Sequence, residues 1–268
     1  MDGSISGETY REQGYCAPIP VLPAAEAHRY RACLEASEAA IGRPLTREER
    51  TKPHILFGWA AELARHPAIL RQVEPLVGPD ILCWETVLFT KEPGGQEFIS
   101  WHQDLTYWGL EPGDQVVTAW LALSPSTVES GCMRVVPGSH RRDLAPHRDT
   151  YDPDNLLSRG QEIAVEVQEG EWADIVLSPG EMSLHHVRIV HGSDRNRSND
   201  RRIGFAARYF STAVRQKSPS RDSAFLVQGQ DRFGHFDLEP APAADYSEAA
   251  RDLHAEFRRR RRALQAAL

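Results

Sequence analysis

From Ile81 to Gln228 the chain is a series of short apolar, β-branched and aromatic runs divided by turn signals. The first, Ile81–Thr90, ends at Glu92-Pro93-Gly94-Gly95. Gln115–Leu123, Cys132–Val136, Glu162–Val167, Asp174–Leu177, Met182–His191, Ile203–Ser211 and Ala224–Gln228 follow. Turns at Glu111-Pro112-Gly113-Asp114, Pro137-Gly138-Ser139 and Ser178-Pro179-Gly180 punctuate them. Strands this short can bury their apolar faces only against one another, so the spacing predicts a sandwich or barrel rather than a βαβ sheet. One polar stretch, His140–Arg159, interrupts the series. An insertion of that length in a compact domain is expected to be a lid or binding loop, here over 140–160.

Helices are expected on both flanks. Residues 1–22 read as an irregular lead-in. An Ala-rich helix then runs from Pro23 towards Gly42. Ile55, Leu56, Trp59, Ala60, Leu63 and Ala64 recur at helical spacing, and a third helix over Ile69–Val77 stops at Gly78-Pro79. The expected layout is one domain over 1–268: a helical part to residue 79, a β core over 80–230, and a C-terminal helix within 243–268. In that last helix Glu256 and Arg260 stand four apart. The run Arg258–Arg262 reads as a solvated face whose cations complement the helix dipole. A nucleic-acid role is disfavoured because the whole chain carries a net charge of −7. No stretch approaches 18 apolar residues, no basic-then-apolar leader opens the chain, and Cys16, Cys33, Cys83 and Cys132 are scattered. These features predict a cytoplasmic protein with reduced thiols and a small-molecule partner, with no membrane or nucleic-acid partner. Monomer and homodimer both stay open.

The chemistry centres on Trp101-His102-Gln103-Asp104. On an extended segment, His102 and Asp104 leave the same face. A second His from another strand would complete the two-His, one-carboxylate set that holds non-haem iron(II) with positions left open. His191 fits, at the end of the run Met182–His191. No thiolate stands at these positions, which favours iron over structural zinc. Arg202, eleven residues on, is suited to holding a carboxylate through two charge-assisted hydrogen bonds. Alternation along Arg202–Tyr209 separates a face of Arg202, Gly204 and Ala206 from a packing face of Ile203, Phe205, Ala207 and Tyr209. The small-residue face is expected to be the wall of a cavity that admits a cosubstrate. By itself a His-x-Asp is common and reads as a polar loop cluster. The order of features tips the balance: His-x-Asp after a strand, a strand with Trp120, a His at a strand end, and Arg202.

In this order and spacing the chain resembles the phytanoyl-CoA dioxygenase-like family of iron(II)/2-oxoglutarate oxygenases. The matching stretches are Trp101–Leu105, Ala119-Trp120, Gly131–His140, His191–Ser193, Arg202–Gly204 and Arg208-Tyr209, spread over about half the chain. The resemblance implies a mainly β fold with flanking helices around a double-stranded β-helix, or jelly-roll, core. It implies iron on His102, Asp104 and His191, and 2-oxoglutarate on Arg202. Ser193 and Trp120 are implied cosubstrate contacts, with Val87 and Lys91 from the strand before the motif. The implied reaction is hydroxylation with O2, releasing succinate and CO2. Relatives that halogenate replace the carboxylate ligand by a small residue, so Asp104 argues against halogenation. Desaturation, epoxidation and rearrangement share the same ligand set. A non-catalytic metal-binding jelly roll and a zinc hydrolase are the alternatives outside the class.

Thr106, Tyr107, Trp108, Arg134, His140 and Glu85 are the candidates for the substrate pocket. Tyr107 and its neighbours follow Asp104 directly, Arg134 suits an acidic substrate, and His140 shapes the site mouth. His185 and His186 read as supporting or core histidines. The substrate itself is expected to be a small polar metabolite or natural-product intermediate.

Overall fold

The computed structural model describes residues 7–157, 160–164, 166–217 and 221–266. Its elements begin with α1 (Gly7–Gln13), β1 (Tyr15–Pro20), α2 (Ala24–Ile41), α3 (Pro53–Leu56), α4 (Gly58–Ala64) and α5 (Pro67–Val77). Strands β2 (Ile81–Lys91), β3 (Ile99–His102), β4 (Leu110–Glu111), β5 (Val116–Ala122) and β6 (Met133–Val135) follow. Next come β7 (His147–Asp149), β8 (Gln161–Ile163), β9 (Ala173–Ile175), β10 (Glu181–His186) and β11 (His191–Ser193). The chain closes with β12 (Arg202–Ser211), β13 (Arg215–Gln216), β14 (Ser223–Gln228), β15 (Asp237–Leu238) and α6 (Glu248–Ala266). The major sheet has the order β1-β10-β5-β12-β2-β14-β15, and a smaller one has the order β3-β11-β6-β9. Apart from β14-β15, the neighbours in these two sheets are non-consecutive, which marks the jelly-roll topology, so the fold is mainly β with flanking helices.

The described residues form two compact units, the first drawn from Met1–Arg31, Phe89–Thr106 and Trp120–Phe205. The second is drawn from Ala32–Leu88, Tyr107–Ala119 and Ala206–Leu268. Leu121, Val135, Leu177, Met182, Leu184 and Ile203 are buried in the first. Leu34, Ile55, Phe57, Leu63, Val73, Trp84, Tyr209 and Phe225 are buried in the second. No helix among the described residues is long and apolar enough to cross a membrane.

Four expectations need correction. The described part of the lead-in is ordered: α1 is followed by β1, which pairs antiparallel with β10 (Cys16 opposite Leu184, Pro20 opposite Glu181). Pro18 and Pro20 hide this strand from a periodicity reading, yet β1 ends the sheet order, where a missing N–H is tolerated. Phe57, extended at φ −134°, divides the second helical stretch into α3 and α4. The run Met182–His191 is two strands in different sheets. The chain turns after β10, with Ile189 N–H donating to His186 O at 2.9 Å, and re-enters the smaller sheet as β11.

The fourth correction concerns the arginine run. In α6 the buried residues Ala250, His254, Phe257, Arg261 and Leu264 recur at four- and three-residue steps, so Arg261 falls on the packing face. Arg261 is 2% exposed, its Nη1 lies 2.5 Å from Asp222 Oδ2, and its guanidinium stands 3.3 Å from the Trp84 ring centroid. Arg260 does pair with Glu256 at the helical spacing, and Arg262 reaches Glu48.

The insertion is also built structure. Its β7 pairs with β8, and Phe98 bridges to Asn155, whose side-chain amide donates to Ser100 Oγ at 2.8 Å. Residues 158 and 159 of the insertion, residue 165 of the run Glu162–Val167, and 1–6 and 267–268 lie outside the described residues.

Candidate functional site

His102 closes β3 and His191 opens β11, and the antiparallel register sets them directly opposite one another. Their ring centroids are 4.1 Å apart. Asp104 is not on an extended segment, as the sequence suggested. The strand ends at His102 and Asp104 starts a 3-10 turn, Asp104–Tyr107. The turn still presents the carboxylate to the imidazoles: one ligand atom from each of His102, Asp104 and His191 lies within 4.8 Å of the other two, and all three residues are buried.

The tautomers follow from the backbone. His102 Nδ1 lies 2.9 Å from Ser100 O, and His191 Nδ1 lies 3.0 Å from Ile189 O. A carbonyl only accepts, so each Nδ1 carries the proton and each Nε2 keeps its lone pair for a metal. Burial, reinforced by the neighbouring His102, holds His191 well below the usual histidine range. It is therefore a neutral ligand at pH 7. Nitrogen, nitrogen and carboxylate oxygen suit iron(II), and a cluster of three leaves positions free on an octahedral ion.

Gln103, 1% exposed, locks the motif in place. Its amide Nε2 donates to Arg188 O at 2.7 Å, and its Oε1 accepts from Ala145 N at 2.8 Å. Its backbone N–H donates to His147 Nε2 at 3.0 Å. The spacer thereby ties the ligand turn to the insertion, a role that a motif reading passes over. Only its amide, between two ligands, hinted at it.

Arg202 opens β12 and is 1% exposed. Its guanidinium carbon lies 4.4 Å from the centroid of the Trp120 ring, while Nε and Nη1 are buried with no hydrogen-bond partner. A buried guanidinium with unpaired donors calls for an anion, and a carboxylate docking end-on would accept from Nη1. Burial lowers its pKa to about 10, so the charge persists at neutral pH. The face beyond Arg202 is small for a different reason from the one expected. A Cβ on Gly204 would lie 1.9 Å from Trp120 Cζ2, so the absent side chain makes room for the indole that backs the guanidinium. Gly204→Ala should therefore displace Trp120, at a cost of about 1–3 kcal/mol of stability. A thermal melt would show the cost, and an anion titration would show weaker carboxylate binding with metal affinity unchanged.

Lys91, fully buried, donates to Ser193 Oγ at 2.6 Å, to Gly131 O at 3.4 Å and to Asp194 O. Arg134, half-buried on β6, pairs with Asp194 and stands between the rings of Trp101 (5.4 Å) and Trp172 (5.0 Å). His140 Nε2 donates to Arg11 O at 3.0 Å, and its ring fills the space over Gly14. The His185 ring stands 5.0 Å from that of His191. Thr106 is exposed, with Oγ1 3.4 Å from His147 Nδ1. The Tyr107 side chain lies outside the described residues. Val87, Glu85 and Trp108 belong to the second unit. There Val87 bridges to Thr51, Glu85 Oε2 lies 2.5 Å from Arg208 Nη1, and the Arg208 guanidinium sits 4.7 Å from the Trp108 ring.

The model of the family described as "Phytanoyl-CoA dioxygenase (PhyH)" matches residues 10–204. The chain belongs to that family. Human peroxisomal phytanoyl-CoA dioxygenase is 29% identical over 148 residues, 54% of this chain and 44% of that one. A probable alpha-ketoglutarate-dependent hypophosphite dioxygenase of Stutzerimonas stutzeri is 32% identical over 165 residues, 58% and 55% of the two chains. The chain spans about half the length of the curated relatives it matches. Among solved structures, apo ThoJ, a non-haem monooxygenase, is similar over 97% of both chains, with 33% identity and a TM-score of 0.85. CytC3 with Fe(II) and alpha-ketoglutarate shares the fold at 23% identity and a TM-score of 0.64, over 89% of this chain and 94% of that one. Within the PhyH family the His102, Asp104 and His191 cluster fits iron, and the unpaired donors of the buried Arg202 fit an anion such as a carboxylate of 2-oxoglutarate.

Proposed function

We propose that this chain is an iron(II)- and 2-oxoglutarate-dependent dioxygenase that hydroxylates an unactivated C–H bond of a small polar metabolite or natural-product intermediate. The observation that carries the reading is the pairing, within one unit, of a buried two-His, one-carboxylate cluster with a buried arginine lacking partners at Nε and Nη1. A zinc hydrolase would need the first and have no task for the second. When bound, iron(II) and 2-oxoglutarate supply O2 activation, giving succinate, CO2 and an oxygen atom for the substrate.

The chain's own residues do the rest. His102 and His191 offer Nε2 lone pairs because their Nδ1 protons are spent on backbone carbonyls. Asp104 supplies the negative charge and fills the position that a halide would need. Arg202 anchors the far carboxylate of 2-oxoglutarate, Trp120 holds the guanidinium plane against water, and Ser193 adds a hydroxyl. The four cysteines are free thiols, which suits a reducing cytoplasm.

The test is anaerobic. Iron(II) and 2-oxoglutarate added together should produce a weak visible charge-transfer band that His102→Ala abolishes. A succinate-release screen against metabolite pools, with mass spectrometry for a gain of one oxygen, then finds the substrate. A band that survives in His102→Ala refutes the ligand assignment, and zinc-dependent turnover without O2 refutes the class.

A further inference from the structure

Lys91 and Arg202 are two basic side chains of the same unit, 0% and 1% exposed, and the charge of Arg202 acts against protonation of Lys91. The carboxylate that Lys91 senses most is Asp194, which is half exposed and already paired with Arg134. Gly131 allows the cradle to close around the lysine: a Cβ there would lie 2.2 Å from Asp194 O. A buried guanidinium beside a buried amine, with the nearest carboxylate half exposed and already paired, forms a site that is electrostatically incomplete until an anion docks.

The hydrogen bonds of Lys91 have two consistent arrangements. As an ammonium, Nζ has three donors for Gly131 O, Asp194 O and Ser193 Oγ. As a neutral amine it has two donors and a lone pair. The two carbonyls only accept, so the lone pair must face Ser193, whose hydroxyl then donates to Nζ. Protonating Lys91 reverses that single bond and frees the Ser193 hydrogen to point elsewhere.

We infer that Lys91 and Ser193 form a proton-linked switch: docking of a carboxylate at Arg202 draws a proton onto Lys91, and the Ser193 hydroxyl turns from the lysine to the carboxylate. This rests on reading Arg202 as the anchor of 2-oxoglutarate, and it makes Lys91 a positioning residue that acts through Ser193. The groups facing Lys91 support it. Burial, then Arg202, push its pKa down to about 6, against the opposing pull of Asp194, with Arg134 adding a smaller push downwards. The Cys132 thiol, raised to about 11 by burial, stays neutral across the range of interest. At pH 7 the lysine without a carboxylate nearby is therefore mostly neutral, and an added negative charge raises its pKa. The sign follows: binding is strongest below the lower pKa, near 6, and weakens as pH rises towards the value in the complex.

The experiment is calorimetric titration of 2-oxoglutarate into the full chain pre-loaded with manganese(II), in two buffers of different ionisation heat. Pre-loading removes protons released by metal binding from the balance. About one proton should be taken up per 2-oxoglutarate at pH 7, and Kd should rise about tenfold from pH 7 to pH 8. Lys91→Met should bind more weakly, with no proton uptake and no pH slope. Binding by the wild type without proton uptake overturns the switch while leaving the proposed function standing. Absence of 2-oxoglutarate binding at any pH overturns both. If Lys91→Met does not fold, the wild-type uptake and slope decide alone.

Discussion

Arg202→Leu is expected to weaken 2-oxoglutarate binding by about thirtyfold to a few thousandfold, the equivalent of about 2–5 kcal/mol for removing one side of a buried charged pair. The same change should leave the melting temperature of the metal-free protein unchanged or higher. Both signs come from one observation. Arg202 is 1% exposed with Nε and Nη1 unpartnered, so the free protein carries a desolvated cation whose compensation arrives with the ligand. Leucine removes that cost and keeps a body against Trp120. Arg202→Lys should fall between the two, because an ammonium is a point charge that cannot bond two carboxylate oxygens in parallel. Isothermal titration gives the affinity and a thermal melt gives the stability. Unchanged affinity in Arg202→Leu would remove the cosubstrate assignment, and a large loss of stability would mean that the guanidinium is held by the fold itself.

Much of this site was legible in the sequence because it depends on local spacing. His102, Asp104, His191 and Arg202 sit at strand ends or in turns, where the pattern of apolar runs already marks the boundaries. What spacing could not show was the sheet each strand joins. Met182–His191 reads as one apolar run, and only the turn at Ile189 moves the second half to the smaller sheet, opposite His102. The reason for Gly204 was likewise hidden, because it lies in the Trp120 ring across the sheet. Gln103 and His147 are joined across 44 positions by a hydrogen bond from the Gln103 backbone N–H to the His147 ring, a link that no local pattern carries. Arg261 was recoverable. Ala250, His254, Phe257 and Leu264 set the buried register of α6, and position 261 falls on it, but five adjacent arginines invite a purely solvated reading.

That buried arginine carries the second large effect. Arg261→Met is expected to destabilise the second unit by about 3–5 kcal/mol, as when one partner of a buried ion pair is removed. Asp222, 1% exposed, would keep the Trp84 Nε1–H at 2.8 Å and the Ser223 N–H at 2.9 Å but lose its cation. Glu85 would retain Arg208 and lose the more distant Arg261 at 3.8 Å. The pH dependence gives the sharper check. Burial acts to raise Asp222, and Arg261 leads the groups that outweigh it and hold the carboxyl below its usual range. In the wild type this contribution is present above the unfolded carboxylate pKa, near 4, and is lost as pH falls through the folded value. Without Arg261 the leading one of those groups is gone and the folded pKa rises, with Lys52, the Ser223 N–H and Trp84 still acting to hold it down. The variant therefore loses less stability than the wild type on acidification, and the gap between the two should narrow as pH falls. Asp222→Asn combined with Arg261→Met should be less damaging than the sum of the two, because the double change leaves no buried charge unpaired. Denaturant melts at pH 5 and pH 7 measure all of these. A variant within about 1 kcal/mol of wild type at both pH values would place Arg261 among ordinary surface ion pairs, which contribute no more than that.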